Sequence, residues 1–193
     1  MAASVKSHEV LSLPLPDAQQ DWIKSIIRDV PDFPKKGIIF KDLTTLMRDP
    51  IAFKLVLNAL TYSCKALKPT VIVGIEARGF ILAPVIAHQL DVGFVPIRKP
   101  GKLPWKTEKI SYALEYGEDS IEIHEDAVSA DDRVVIIDDL LATGGTALAA
   151  KHLLRKLGAN IVGAGFVVEL DFLDGRKKLL ENDEFNVYSV IHY

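Results

Sequence analysis

The chain has 193 residues, 49% of them hydrophobic and 25% charged, with a formal net charge of −3. That length suits one domain of the usual ~100–200 residues with a sizeable core. The slightly acidic balance gives no electrostatic footing for nucleic acid or an anionic membrane as partner. The one cysteine, Cys64, can form neither an intrachain disulfide nor a metal knot, which points to a reducing compartment.

The opening MAASVKSHEVLSLPLPD has no charged segment leading into an apolar core, so a secretory signal is not expected. No run approaches the ~18 apolar residues of a membrane span, so the expected location is the cytoplasm. Residues 17–30 carry Trp22, Ile23, Ile26, Ile27 and Val30 at helical spacing. PDFPKKGIIFKD (31–42) stops that helix and allows a short strand or apolar loop at 38–40. Asp49 and Pro50 suit the start of a second helix over 49–67.

The pattern then changes. TVIVGIE (70–76), GFVPIRK (93–99), DRVVIIDD (132–139) and ANIVGAGFVVEL (159–170) are apolar runs of the kind that buried parallel strands show. GFILAPVIAHQL (79–90) and GTALAAKHLLRKLG (145–158) read as helices between them, and NVYSVIHY (186–193) adds a strand. Such alternation indicates a doubly wound α/β sheet, mainly parallel and flanked by helices. Residues 98–128 break it with a long, charged, Pro- and Gly-containing stretch of the kind that forms functional lids, and YALEYGEDSIEI within it can form a hairpin.

Chemistry concentrates where DRVVIIDD ends. Ligands of open α/β sheets sit beyond the carboxyl ends of the strands. Asp138 and Asp139 lie there, followed by ATGGT (142–146) at a helix start. Gly144 and Gly145 let the backbone approach a ligand, and the helix amides with Thr143 and Thr146 suit a phosphate monoester. The two acids suit hydroxyls or a metal-bound group, so a phosphorylated sugar satisfies both ends. Arg98, Lys99 and Lys102 form a basic cluster at a strand end. Motifs for Walker-type phosphate loops, dinucleotide binding, zinc proteases and serine hydrolases are absent.

VVIIDDLLATGGT resembles the phosphoribosyl diphosphate (PRPP) signature of the type I phosphoribosyltransferases. VPDFPKKGIIFKD, GIEARGF, IRKPGKLP and YALEYGEDSIEIHEDA follow in the order shown by the branch of that family acting on adenine. The resemblance spans most of residues 31–146. It implies one domain over 1–193, with a small N-terminal hood at about 31–45 and a flexible lid hairpin at about 98–125. Asp138 and Asp139 would hold the ribose hydroxyls, and Ala142, Thr143, Gly144, Gly145 and Thr146 the 5-phosphate. Glu76, Ala77 and Arg78 would form the pyrophosphate loop, with the Glu76–Ala77 peptide cis, joined by Arg98, Lys99 and Lys102. Phe40 would stack on the purine, the main chain of Ile39 and Lys41 would read its edge, and Glu115 would hold its proton under a lid closed by Tyr112 and Tyr116.

The resemblance implies an enzyme of purine salvage: adenine and PRPP give AMP and pyrophosphate. Mg²⁺ would be held by PRPP rather than directly by the protein. A homodimer is expected, with no nucleic acid or membrane partner. Two alternatives stand beside this reading. One is the same chemistry on a 6-oxopurine, and the other is a PRPP-sensing regulator that does no catalysis. The latter would need a nucleic-acid-binding module or a strongly basic face.

Overall fold

A computed structural model describes residues 15–114, 117–181 and 183–193. Helix α1 (Asp17–Ile26) ends four residues before the pattern predicts, and strand β1 (Arg28–Pro31) takes over. Pro31 biases Val30 toward extended backbone, and β1 pairs antiparallel with β2 (Ile39–Asp42), with Val30 opposite Phe40. This two-stranded hood is followed by a short helix, α2 (Thr44–Arg48), absent from the sequence reading. Helix α3 (Pro50–Ala66) is capped as expected: Asp49 Oδ1 accepts from the amides of Ile51 and Ala52 at 2.9 Å.

The alternating region forms as predicted: β3 (Val71–Ile75), α4 (Gly79–Leu90), β4 (Gly93–Ile97), then β7 (Arg133–Leu141), α5 (Gly145–Lys156), β8 (Asn160–Glu169) and β9 (Asn186–His192). All pairings in this sheet are parallel, in the order β4-β3-β7-β8-β9. Side-chain alternation along β7 divides the core. Val135 and Ile137 pack with α3 and α4 on one face, while Val134 and Ile136 pack with α5 on the other. One expectation is corrected. The strand does not end at Asp139 but continues through Leu140 and Leu141, so the two acids lie within its last turns of pleat.

The lid stretch folds as β5 (Thr107–Leu114) and β6 (Gly117–His124), a longer hairpin than YALEYGEDSIEI alone suggests. Its root is fixed: Ile121 and Ile123 are buried against the α5 side, and Arg98 exchanges backbone hydrogen bonds with Glu122 at 2.9 and 2.8 Å. A 3₁₀ turn (Asp171–Leu173) and α6 (Gly175–Leu179) link β8 to β9. Buried Lys151 secures that link, donating to the carbonyls of Leu179 at 2.8 Å and Glu181 at 3.3 Å. Among the described residues no helix is long and apolar enough to cross a membrane.

Candidate active site

The sheet order reverses between β3 and β7: β3 leads to β4 on one side, β7 to β8 and β9 on the other. Such a switch point opens a crevice at the carboxyl ends of the strands. The two loops beside it meet closely. Gly79 lies so near β7 that a Cβ there would stand 2.7 Å from the Ile137 carbonyl oxygen.

Asp138 and Asp139 sit here. Asp139 is buried, and its Oδ2 lies 2.9 Å from Arg78 Nε, an ion contact without hydrogen-bond alignment. Asp138 Oδ1 accepts from the Asp139 amide at 2.9 Å. Burial, and then the adjoining Asp139 carboxylate, push the Asp138 carboxyl well above the usual carboxylate range. Burial also raises Asp139, against the pull of Arg78. Arg78 thus pairs with Asp139 rather than with its neighbour Glu76, and its guanidinium lies 5.5 Å from the centre of the Phe40 ring.

The turn after β7 is built for an anion. Gly144 takes φ +76°, and α5 has no side-chain cap, so its first-turn amides are open. Ala142 and Thr143 line the crevice. Thr146 shares a 3.2 Å hydrogen bond with the Tyr112 hydroxyl from the hairpin. The turn rests on α6, where a Cβ at Gly175 would fall 2.1 Å from the Ala142 carbonyl oxygen.

On the other side of the crevice, the predicted cations gather around Glu76. Its carboxylate accepts from Lys102 Nζ at 2.5 Å, the Lys99 amide at 2.9 Å and Arg98 Nε at 3.3 Å. Burial pushes the Glu76 carboxyl up, but these donors outweigh it and hold the group at about 2. The Lys99 ammonium pairs with Asp119 of β6. The Glu76–Ala77 peptide is cis, as the resemblance implies.

Beside the hood lies a cleft of about 680 Å³. Ile39, Phe40 and Lys41 form one wall, Leu140, Ala142 and Thr143 another, and Leu170, Phe172, Leu173 and Tyr193 a third. Phe40 meets Phe33 edge to face at 5.1 Å. The Lys41 ammonium bonds Asp29 at 2.7 Å and lies 3.9 Å from the centre of the Tyr193 ring. The Lys41 side chain is thus engaged within the protein, joining the hood to Tyr193.

Of the predicted residues, Ile39, Phe40, Lys41, Ala142 and Thr143 line one cleft, and Arg78 reaches from Asp139 to within 5.5 Å of the Phe40 ring centre. Glu115 and Tyr116 lie outside the described residues. The sequence reading missed Asp119, Leu140, Tyr193 and the 170–175 segment. The rule that strand ends carry ligands could have drawn attention to the segment after β8. Asp119 and Tyr193 carry no local signal.

Comparison with known proteins accords with this geometry. Residues 51–192 match the family model described as phosphoribosyl transferase domain. The adenine phosphoribosyltransferase of Koribacter versatilis is 49% identical over 173 residues, covering 90% of this chain and 93% of that protein. The crystal structure of adenine phosphoribosyltransferase from Thermoanaerobacter pseudethanolicus is 50% identical, with a TM-score of 0.82 over 90% of this chain and 99% of that one. The Trypanosoma brucei enzyme, solved in complex with AMP, pyrophosphate and ribose-5-phosphate, is 27% identical with a TM-score of 0.84, covering 94% of this chain and 82% of that one. The chain belongs to the phosphoribosyltransferases and, within them, to the adenine phosphoribosyltransferase family.

Proposed function

We propose that this protein performs purine salvage, transferring the 5-phosphoribosyl group of PRPP to adenine with release of AMP and pyrophosphate. The observation that carries the reading is the single cleft in which the hood residues Ile39, Phe40 and Lys41 face the Ala142–Thr143 turn. A base wall and a phosphate turn share one cavity, as a nucleotide product requires. The Trypanosoma brucei relative binds AMP, pyrophosphate and ribose-5-phosphate, a ligand set that agrees with it.

In the reaction, adenine N9 attacks C1 of PRPP opposite the departing diphosphate. The N9–C1 bond forms as the C1–O bond breaks, and its electron pair leaves on the diphosphate. Positive charge develops on the ribose ring, next to Asp138 and Asp139. We assign the ribose hydroxyls to these two acids and the 5-phosphate to residues 142–146. The diphosphate goes to the Glu76–Ala77–Arg78 loop with Arg98, Lys99 and Lys102, where charge-assisted bonds are strong. Phe40 supplies an aromatic face for the purine. Glu115 is assigned the purine proton, with Tyr112 and Tyr116 in the lid that excludes water.

A backbone carbonyl of the hood suits the amino group of adenine. Facing the oxo group of hypoxanthine or guanine, it would lack a donor, and such mismatches discriminate strongly. Among the described residues, the carboxylates Glu76, Asp119 and Asp139 are each held by protein cations. With those carboxylates committed to protein cations, Mg²⁺ would be brought to the site by PRPP. Bound there, Mg²⁺ would offset diphosphate charge. A homodimer in the cytoplasm completes the proposal.

The test is direct. Protein, Mg²⁺ and PRPP are incubated with adenine, hypoxanthine or guanine, and nucleotide formation is followed. AMP from adenine, with little product from the oxopurines, is expected. Failure to form AMP at any enzyme concentration refutes the enzyme assignment, and equal rates with hypoxanthine refute the base assignment.

A further inference from the structure

The cations assigned to the diphosphate are already paired within the protein. Glu76 holds Arg98 and Lys102, Asp139 holds Arg78, and Asp119 holds Lys99. A diphosphate must therefore compete with internal carboxylates for its binding groups. The three carboxylates are not equally able to give way. Glu76 is bound by three donors at the root of the loop, and Asp139 is buried in the sheet. Asp119 stands on the hairpin, outside the main sheet, and has other donors. The Ser120 amide bonds its Oδ1 at 2.8 Å, and the Tyr112 hydroxyl lies 3.2 Å from Oδ2. If Lys99 leaves, Asp119 keeps those two bonds.

We infer that Asp119 is an internal competitor for the diphosphate. It holds the Lys99 ammonium while the site is empty, yields it when PRPP binds, and retakes it as pyrophosphate departs. The inference rests on the assignment of Lys99 to the diphosphate made above. A site whose competent form is only partly populated binds more weakly by that fraction. Such a device weakens the hold on the product as well as on the substrate. It also keeps the basic cluster from retaining stray phosphate, specificity achieved by an opposing group rather than an added contact. Asp119 accordingly acts through Lys99 and is a positioning residue.

The experiment is calorimetric titration of the full chain with pyrophosphate and Mg²⁺, beside the Asp119→Asn variant. Asparagine keeps an oxygen for Ser120 and removes the charge. The expected result is roughly twofold to fivefold tighter pyrophosphate binding, the scale on which a partly exposed ion pair competes. AMP affinity should change little, and pyrophosphate should become a stronger product inhibitor. In a Lys99→Met background the Asp119→Asn change should leave pyrophosphate affinity unaltered. Asp119→Ser serves as the second variant if asparagine impairs folding, and the same result is expected. Unchanged or weaker pyrophosphate binding in the variants overturns the inference. Equal tightening without Lys99 also overturns it, because a general field rather than a competed pair would then be responsible. Wild-type protein that binds neither AMP nor pyrophosphate would overturn the underlying assignment as well. Wild-type binding with unresponsive variants overturns the competition alone.

Discussion

Asp138 illustrates a conflict between stability and use. Burial and the neighbouring Asp139 raise its carboxyl well above the usual range, so the native state holds this proton more tightly than the unfolded chain does. Stability contributed by that proton is present at low pH and declines as pH rises from about 3.8 through the raised value. At neutral pH the charge is thus a cost. Asp138→Asn is expected to raise the urea midpoint at pH 7.5 and to flatten this part of the pH–stability profile, while weakening PRPP binding. Parallel urea titrations from pH 4 to 8 check it, and a lower midpoint at neutral pH would contradict it. The two acids were legible in the sequence because they follow a β-branched run and precede a glycine turn. Asp119 was not legible, since on an alternating hairpin it reads as any solvated carboxylate. Only the fold brings it to Lys99.

At the scale of elements, the parallel strands and their helices were read nearly to the residue. Continuous apolar runs and the Asp49 cap leave few alternatives. The misses share one cause. Strand β1 continues a helical spacing, and only its pairing with β2 overrules that pattern. Strand β7 runs past the acids because Leu140 and Leu141 still pair with β8, which no local rule reveals. The segment after β8 was given no role in the sequence reading, yet its α6 packs closely against the turn at 142–144. Gly175→Ala would force a methyl into the Ala142 carbonyl. Overpacking of this kind costs about 1–3 kcal/mol. The variant is expected to lose that much stability, with weaker AMP binding. Chemical denaturation and AMP titration measure both, and a wild-type result in each would refute the support role.

For the whole molecule, the cleft joins three parts far apart in sequence: hood, phosphate turn and the segment ending at Tyr193. A nucleotide held there bridges the small β1–β2 sheet to the main body. With AMP at 100 times its Kd, the unfolding free energy is expected to rise by about 2.7 kcal/mol, as mass action requires for a ligand of the native state alone. Hydrogen exchange should slow in β1 and β2 as well as at residues 142–146. Protection confined to the phosphate turn would show that the hood takes no part in binding.

The contact between Lys41 and Tyr193 also bears on how the protein is made. The hood strands leave the ribosome early, but the aromatic ring against which Lys41 rests follows every strand of the main sheet. The turn at 142–146 emerges well before that ring. During synthesis the chain thus completes the turn at 142–146 before the Tyr193 side of the cleft exists. A chain halted short of β9 would carry the turn at 142–146 but lack the ring on which Lys41 rests.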